Sequence, residues 1–218
     1  MAYKGSGSPF SKVLELQVPG VSPATIESLL YLAVEIAREG REGRRIGTLF
    51  TLGDADAVLE RSRPLILDPL AGHPDEVKQL TSPDLRETIK ELAQLDGAFV
   101  ISSAGVVRSA CRYIDVSAER VKVPLGLGSR HLAGASISFA TRCLAVVVSE
   151  SAMVRVFHRG ELASEIIPEV WILRTHVKRL LGAAGEGAPV AEPVPLAERV
   201  TGAEQVAVEE QVTVVTKD

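Results

Sequence analysis

The sequence has almost no cysteine: Cys111 and Cys143 are the only two among 218 residues. Both stand in apolar or strand-like surroundings, and no Cys/His group has the spacing of a zinc site. The expectation is a pair of core thiols in a reducing, cytoplasmic setting. Long apolar runs are also missing. The best, Leu144 to Val148, is the size of a strand, far short of the roughly 18 residues of a membrane-spanning helix, so no membrane segment is expected. Residues Met1 to Phe10 are rich in Gly and Ser and lack the apolar stretch of a secretory signal. Positive charge is not in excess, since 24 Lys and Arg face 28 Asp and Glu. A net charge of −4 provides no basic field for a nucleic-acid backbone or an anionic membrane, and no nucleic-acid partner is expected. Any phosphate binding must therefore be local. No Gly-Lys-Ser/Thr phosphate loop, strand-associated GxGxxG or internal repeat is present.

Nearly half of the residues, 46%, are apolar, which suits one globular domain with a sizeable core. Ile26, Leu29, Leu30, Ala33, Val34 and Ala37 recur at helical spacing behind Ser22-Pro23, predicting a helix from 23 to 39 that Gly40 stops. Ile46 to Leu52 reads as a buried strand closed by Gly53-Asp54. The stretch from Arg61 to Gln79 carries Pro64, Pro69 and Pro74 and allows only short helices or loops. Ser82-Pro83 opens a second amphipathic helix ending near Leu95. Ala98 to Ser102 with Val106 to Ile114, and Cys143 to Ser149 with Met153 to His158, read as hairpins on either side of a helix from Ser129 to about Thr141. Pro168 fits the first turn of a last helix to about Leu181.

Hairpins mixed with helices favour an α/β fold with a mixed central β-sheet flanked by helices over a purely parallel sheet. The expected organisation is a flexible arm over 1–20, a nucleotide-binding domain over 21–182 and a tail over 183–218. The tail is rich in Ala, Gly, Glu, Pro and Val, and is expected to be disordered apart from a short strand at Val212 to Val215.

Three polar clusters stand at element ends: Asp96-Gly97-Ala98, Gly128-Ser129-Arg130-His131 and Ser149-Glu150. Each alone also reads as an ordinary turn, helix cap or hairpin surface. The middle one has the clearest chemistry. A helix N-terminus presents free N–H groups and the positive end of a dipole, Gly128 lets a ligand approach, and Arg130 adds a planar fork for phosphate oxygens. His131 adds a donor or a metal ligand. Asp96 and Glu150 are carboxylates that a phosphate site needs only when a divalent cation lies between them and the nucleotide. Metal-assisted phosphoryl or nucleotidyl transfer is the chemistry these residues suggest. His73, His158 and His176 are isolated.

In this order the blocks resemble the diadenylate cyclase (DAC) domain. The likeness runs from about Ser22 to Leu181 and rests on Glu39-Gly40, Gly47-Thr48-Leu49-Phe50, Gly53-Asp54, Asp96-Gly97-Ala98, Leu127-Gly128-Ser129-Arg130-His131 and Val146-Val147-Val148-Ser149-Glu150. It implies condensation of two ATP into cyclic di-AMP across a homodimer, each 3′-hydroxyl attacking the partner's α-phosphate with loss of pyrophosphate. By the same likeness Asp96, Arg130 and His131 would be catalytic. Gly97, Ala98, Gly128, Ser129, Arg130 and Ser149 would bind the nucleotide, and Asp96, His131 and Glu150 would hold Mn2+, Co2+ or Mg2+. The family's block reads Arg-His-Arg where this chain has Leu132 third. That departure leaves open an ATP or cyclic di-AMP sensor that keeps the fold without the activity, or a structural role.

Overall fold

Ser22 and Pro23 start the first long helix. The Ser22 hydroxyl accepts from the Thr25 amide at 3.1 Å, and proline at the first helical position loses no hydrogen bond. The structure, a computed structural model, describes residues 9–173, all within a compact unit that ends at Val177. In chain order the elements are α1 (Pro9–Leu14), α2 (Pro23–Glu39), β1 (Thr48–Leu52), α3 (Ala55–Glu60), β2 (Ser62–Pro64), a 3-10 turn (Asp75–Lys78), α4 (Pro83–Leu92), β3 (Ala98–Ile101), β4 (Val107–Ile114), α5 (Ser129–Ala140), β5 (Leu144–Val148), β6 (Val154–His158) and β7 (Glu161–Ile166). The backbone turns helical again at Pro168.

The strands form one seven-stranded sheet in the order β2-β4-β3-β1-β5-β6-β7. β1 and β3 run parallel and every other pair antiparallel, so the sheet is mixed. β1, β3 and β5 are buried along their whole length because helices cover both faces. Alternation sorts their side chains. Phe50, Leu52, Phe99, Ile101, Val146 and Val148 join the core under α2, with the Phe50 and Phe99 rings stacked 5.0 Å apart. Leu49, Ala98, Val100, Ala145 and Val147 pack on the opposite face with Ala135 and Ile137 of α5.

The fold is the mixed, helix-flanked sheet that the hairpin pattern implies, with differences that have local causes. β7 carries Glu161, Ser164 and Glu165, and only its pairing with β6 makes it a strand. α3 is too short, at six residues, for helical periodicity to register. Between Arg61 and Gln79 lie β2 and the 3-10 turn. Of the span expected to be a flexible arm, residues 9–20 fold onto the domain: α1 packs beside β7, and Val13 and Val18 are buried in the core. The expected tail over 183–218, its strand at Val212 to Val215 and the end of the last helix lie outside the described residues.

Candidate functional site

Strand direction brings the polar blocks together. β1 and β3 are parallel and start at the same end of the sheet, while antiparallel β5 finishes there: Leu49 is level with Ala98, and Thr48 with Val148. Gly47 before β1, Asp96-Gly97 before β3 and Ser149-Glu150 after β5 therefore meet at one end. Arg130, in the first turn of α5, joins them. Its Nη2 donates to Asp96 Oδ1 at 3.1 Å and its Nη1 to Glu150 Oε1 at 3.1 Å. One guanidinium thus ties two carboxylates that lie 54 residues apart in the chain. Both acids are solvent-exposed, so these pairs contribute about 0–1 kcal/mol of stability each; what they supply is orientation.

Two glycines make this arrangement possible. At Gly47 a β-carbon would stand 2.8 Å from Arg130 Nη1 and 3.2 Å from Glu150 Cγ, so the guanidinium occupies the space a side chain would need. Gly97 has φ +113, and a β-carbon there would lie 2.6 Å from the Cys111 carbonyl carbon. The chain before β3 runs close against the β4 backbone at this point, beside a register shift between Ala98 and Val100.

A cleft of about 520 Å³ opens beside Arg130. Asp96, Gly97, Ala98, Ser129 and Arg130 line it, as do Leu132, Ala133 and Ser136 of α5, which repeat at helical spacing from Ser129. Ser136 is 1% exposed and its hydroxyl has no hydrogen-bond partner among the described residues. The opposite wall comes from Leu65, Arg112, Tyr113, Ile114, Val116 and Ala118. Leu65 is held there by its N–H, which donates to the Cys111 carbonyl at 2.9 Å, and by Asp68, which accepts from Ser109 Oγ at 2.6 Å and from the Ala110 amide at 3.2 Å.

The other sequence-predicted residues are placed differently. Gly128 is the exposed N-cap of α5, with no atom within 4 Å of where its β-carbon would stand. Ser149 shapes the β5–β6 turn, its Oγ accepting from the Ser151 amide at 3.3 Å and lying 2.9 Å from Ser151 Oγ. The His131 ring points away from the cleft lining. It is 6% exposed, meets Phe157 edge-on at 6.3 Å, and has Nε2 3.3 Å from Arg155 Nη1. Nδ1 has no well-aligned hydrogen bond among the described residues. Burial first, then the Arg155 and Arg130 charges, push the His131 pKa down against the pull of the Gly128 backbone and Glu165.

Asp96 and Glu150 are carboxylates of the kind a hard divalent cation takes, with water and phosphate oxygens completing its shell, but here both pair with the Arg130 guanidinium between them. The expected third ligand, His131, is not beside them, and no cluster of three or more metal-ligating side chains occurs among the described residues. Gly47, Arg112 and Ser136 were not among the residues expected to form the site. Gly47 belongs to a block that resembles the family but has no site role expected of it, while Arg112 and Ser136 carry no local signal because strand register and helix docking bring them to the cleft.

A mixed sheet with a polar cleft lined by Asp96-Gly97-Ala98 and Ser129-Arg130 is the arrangement that the resemblance to the DAC domain implies. The family model described as DAC, DisA bacterial checkpoint controller nucleotide-binding, matches residues 35–162. This chain belongs to that family. It is 46% identical over 150 residues to a diadenylate cyclase of Methanocaldococcus jannaschii, covering 68% of this chain and 47% of that protein. With a diadenylate cyclase of Haloferax volcanii it shares 41% over 150 residues, covering 68% of this chain and 55% of that protein. The chain spans about half the length of these curated relatives. Among solved structures it is similar to DacA from Staphylococcus aureus, with 21% identity, a TM-score of 0.46, and coverage of 75% of this chain and 97% of that one. Among the described residues no helix is long and apolar enough to cross a membrane.

Proposed function

We propose that this protein is a diadenylate cyclase that condenses two ATP into cyclic di-AMP with release of two pyrophosphates. The observation that carries this reading is the Arg130 bridge between Asp96 and Glu150 at the edge of a cleft lined by Gly97 and Ala98, in a chain of the DAC family. Ser129 and Arg130 would grip phosphate oxygens at the start of α5. Asp96, an exposed carboxylate, would orient the attacking 3′-hydroxyl and accept its proton. A divalent ion, Mn2+, Co2+ or Mg2+, would be held by Asp96, Glu150 and the phosphates, and would neutralise charge at the transferring phosphorus. His131 would act as a positioning residue for the first turn of α5.

Ring closure needs each 3′-hydroxyl to attack the α-phosphorus of the other ATP, so a cleft that takes one ATP would supply half of the reacting pair. Two copies would therefore meet with their clefts facing. A second reading, a sensor of ATP or cyclic di-AMP that keeps the fold, is favoured by Leu132 lining the cleft where the family carries a guanidinium. Incubation with ATP and Mn2+ followed by mass analysis separates the two. Cyclic di-AMP, formed at a rate per subunit that rises with protein concentration, supports the cyclase. Nucleotide binding without product supports the sensor.

A further inference from the structure

The cleft has a second guanidinium, and it is held quite differently from the first. Arg112 of β4 lines the wall opposite α5. Its Nε donates to Ser62 Oγ at 3.1 Å, and its Nη2 donates to the carbonyls of Ser62 at 2.7 Å and Leu59 at 3.2 Å. These acceptors are all neutral. Arg130 has two carboxylate partners, whereas Arg112 has none among the described residues. Its Nη1 makes no hydrogen bond to a described residue. A guanidinium pinned along one edge is a planar, oriented plate that keeps its full charge.

Register sets where that plate lies. Arg112 is the pairing partner of Ala98 and so shares its side of the sheet, the side that faces the cleft. Apart from Arg112 the nearby wall is largely apolar, with Leu65, Ile114 and Val116, while the other charged residues of the lining are Asp96 and Arg130, beside Ser129. A nucleotide is divided the same way, into a flat, weakly polar base and a charged phosphate chain. With phosphates at the start of α5, the base falls against β4.

We propose that Arg112 holds the purine base of the bound nucleotide, its guanidinium plane stacked against the ring. The assignment rests on the nucleotide reading of the same cleft and identifies the residue that orients the ligand within it. Planar cation-on-base contacts tolerate any purine face, and removing one weakens binding by about tenfold or more.

The test is calorimetric titration of the full chain with ATP, adenosine and inorganic tripolyphosphate. Arg112→Gln keeps a donor for the Ser62 and Leu59 carbonyls but loses the charged plane. It should weaken ATP and adenosine by a similar factor, roughly tenfold, and leave tripolyphosphate unchanged. Arg112→Lys, which has charge without a plane, should not restore adenosine binding. Ser62→Ala leaves the guanidinium in place but frees its Nε edge, and should weaken adenosine binding severalfold should the position 112 variants fold poorly. Loss of tripolyphosphate binding with adenosine unaffected would make Arg112 a phosphate contact and overturn the proposal. Unchanged binding of all three ligands by folded variants would make it a strut between β2 and β4. A wild-type protein that binds none of the three would overturn the nucleotide reading itself, whereas one that binds ATP leaves only the base assignment at stake.

Discussion

Gly47 and Arg130 compete for one volume: a β-carbon at residue 47 would lie 2.8 Å from Arg130 Nη1. Because the obstacle is the tip of a long side chain, Gly47→Ala should displace the guanidinium rather than unfold the protein. Its bonds to Asp96 and Glu150 are the first to go. We expect ATP binding or turnover to fall by about tenfold, the scale of one charge-assisted contact, with the melting temperature within a few degrees of wild type. A fully active Gly47→Ala protein would show that the Arg130 bridge is not needed.

Asp96→Asn tests the carboxylate with little change of shape. The Asp96 side chain is 83% exposed, so loss of its pair with Arg130 costs little stability. Cyclic di-AMP formation should be abolished while thermal unfolding is unchanged and ATP still binds through Arg130. Turnover at the wild-type rate would reduce Asp96 to a turn residue.

Leu132 lines the cleft and is only partly buried, so an arginine there can reach solvent without leaving an unpaired charge in the core. Leu132→Arg should fold normally and raise product formation roughly tenfold by supplying a second phosphate contact. A folded variant that binds ATP with no gain in product favours the sensor reading.

Protonation of His131 should make the fold acid-sensitive. Its folded pKa lies below the ordinary 6.5 because burial and Arg155 disfavour the imidazolium. Between the two values the unfolded chain binds the extra proton, so stability is complete above 6.5 and is lost as pH falls through that window. His158, also lowered by burial and Arg159, adds to the effect with the same sign. Melting temperature followed from about pH 7 to about pH 5 should decline, and His131→Gln should flatten part of the slope. An unchanged slope would mean that His131 is as readily protonated in the folded protein as in the unfolded chain.

Much of the fold can be read along the chain because its signals are local. Ser22-Pro23, the apolar stripe from Ile26 to Ala37 and Gly40 bound α2 by capping chemistry and periodicity alone. The runs at Leu49, Ala98 and Val146 are buried on both faces, and only strands covered by helices on either side are uniformly apolar. The Asp96, Arg130 and Glu150 blocks announce polar element ends, so their availability for chemistry is legible along the chain. Which of them meet was decided by the tertiary structure. Parallel β1 and β3 with antiparallel β5 bring distant ends to one edge, and helical phase turns Ser129, Leu132 and Ser136 to the cleft while His131 faces Phe157 and Arg155. Arg112 enters the site only through its pairing with Ala98. Strand register and helix rotation are set by contacts between segments far apart in the chain, where a shift of a single residue sends a side chain to the other face.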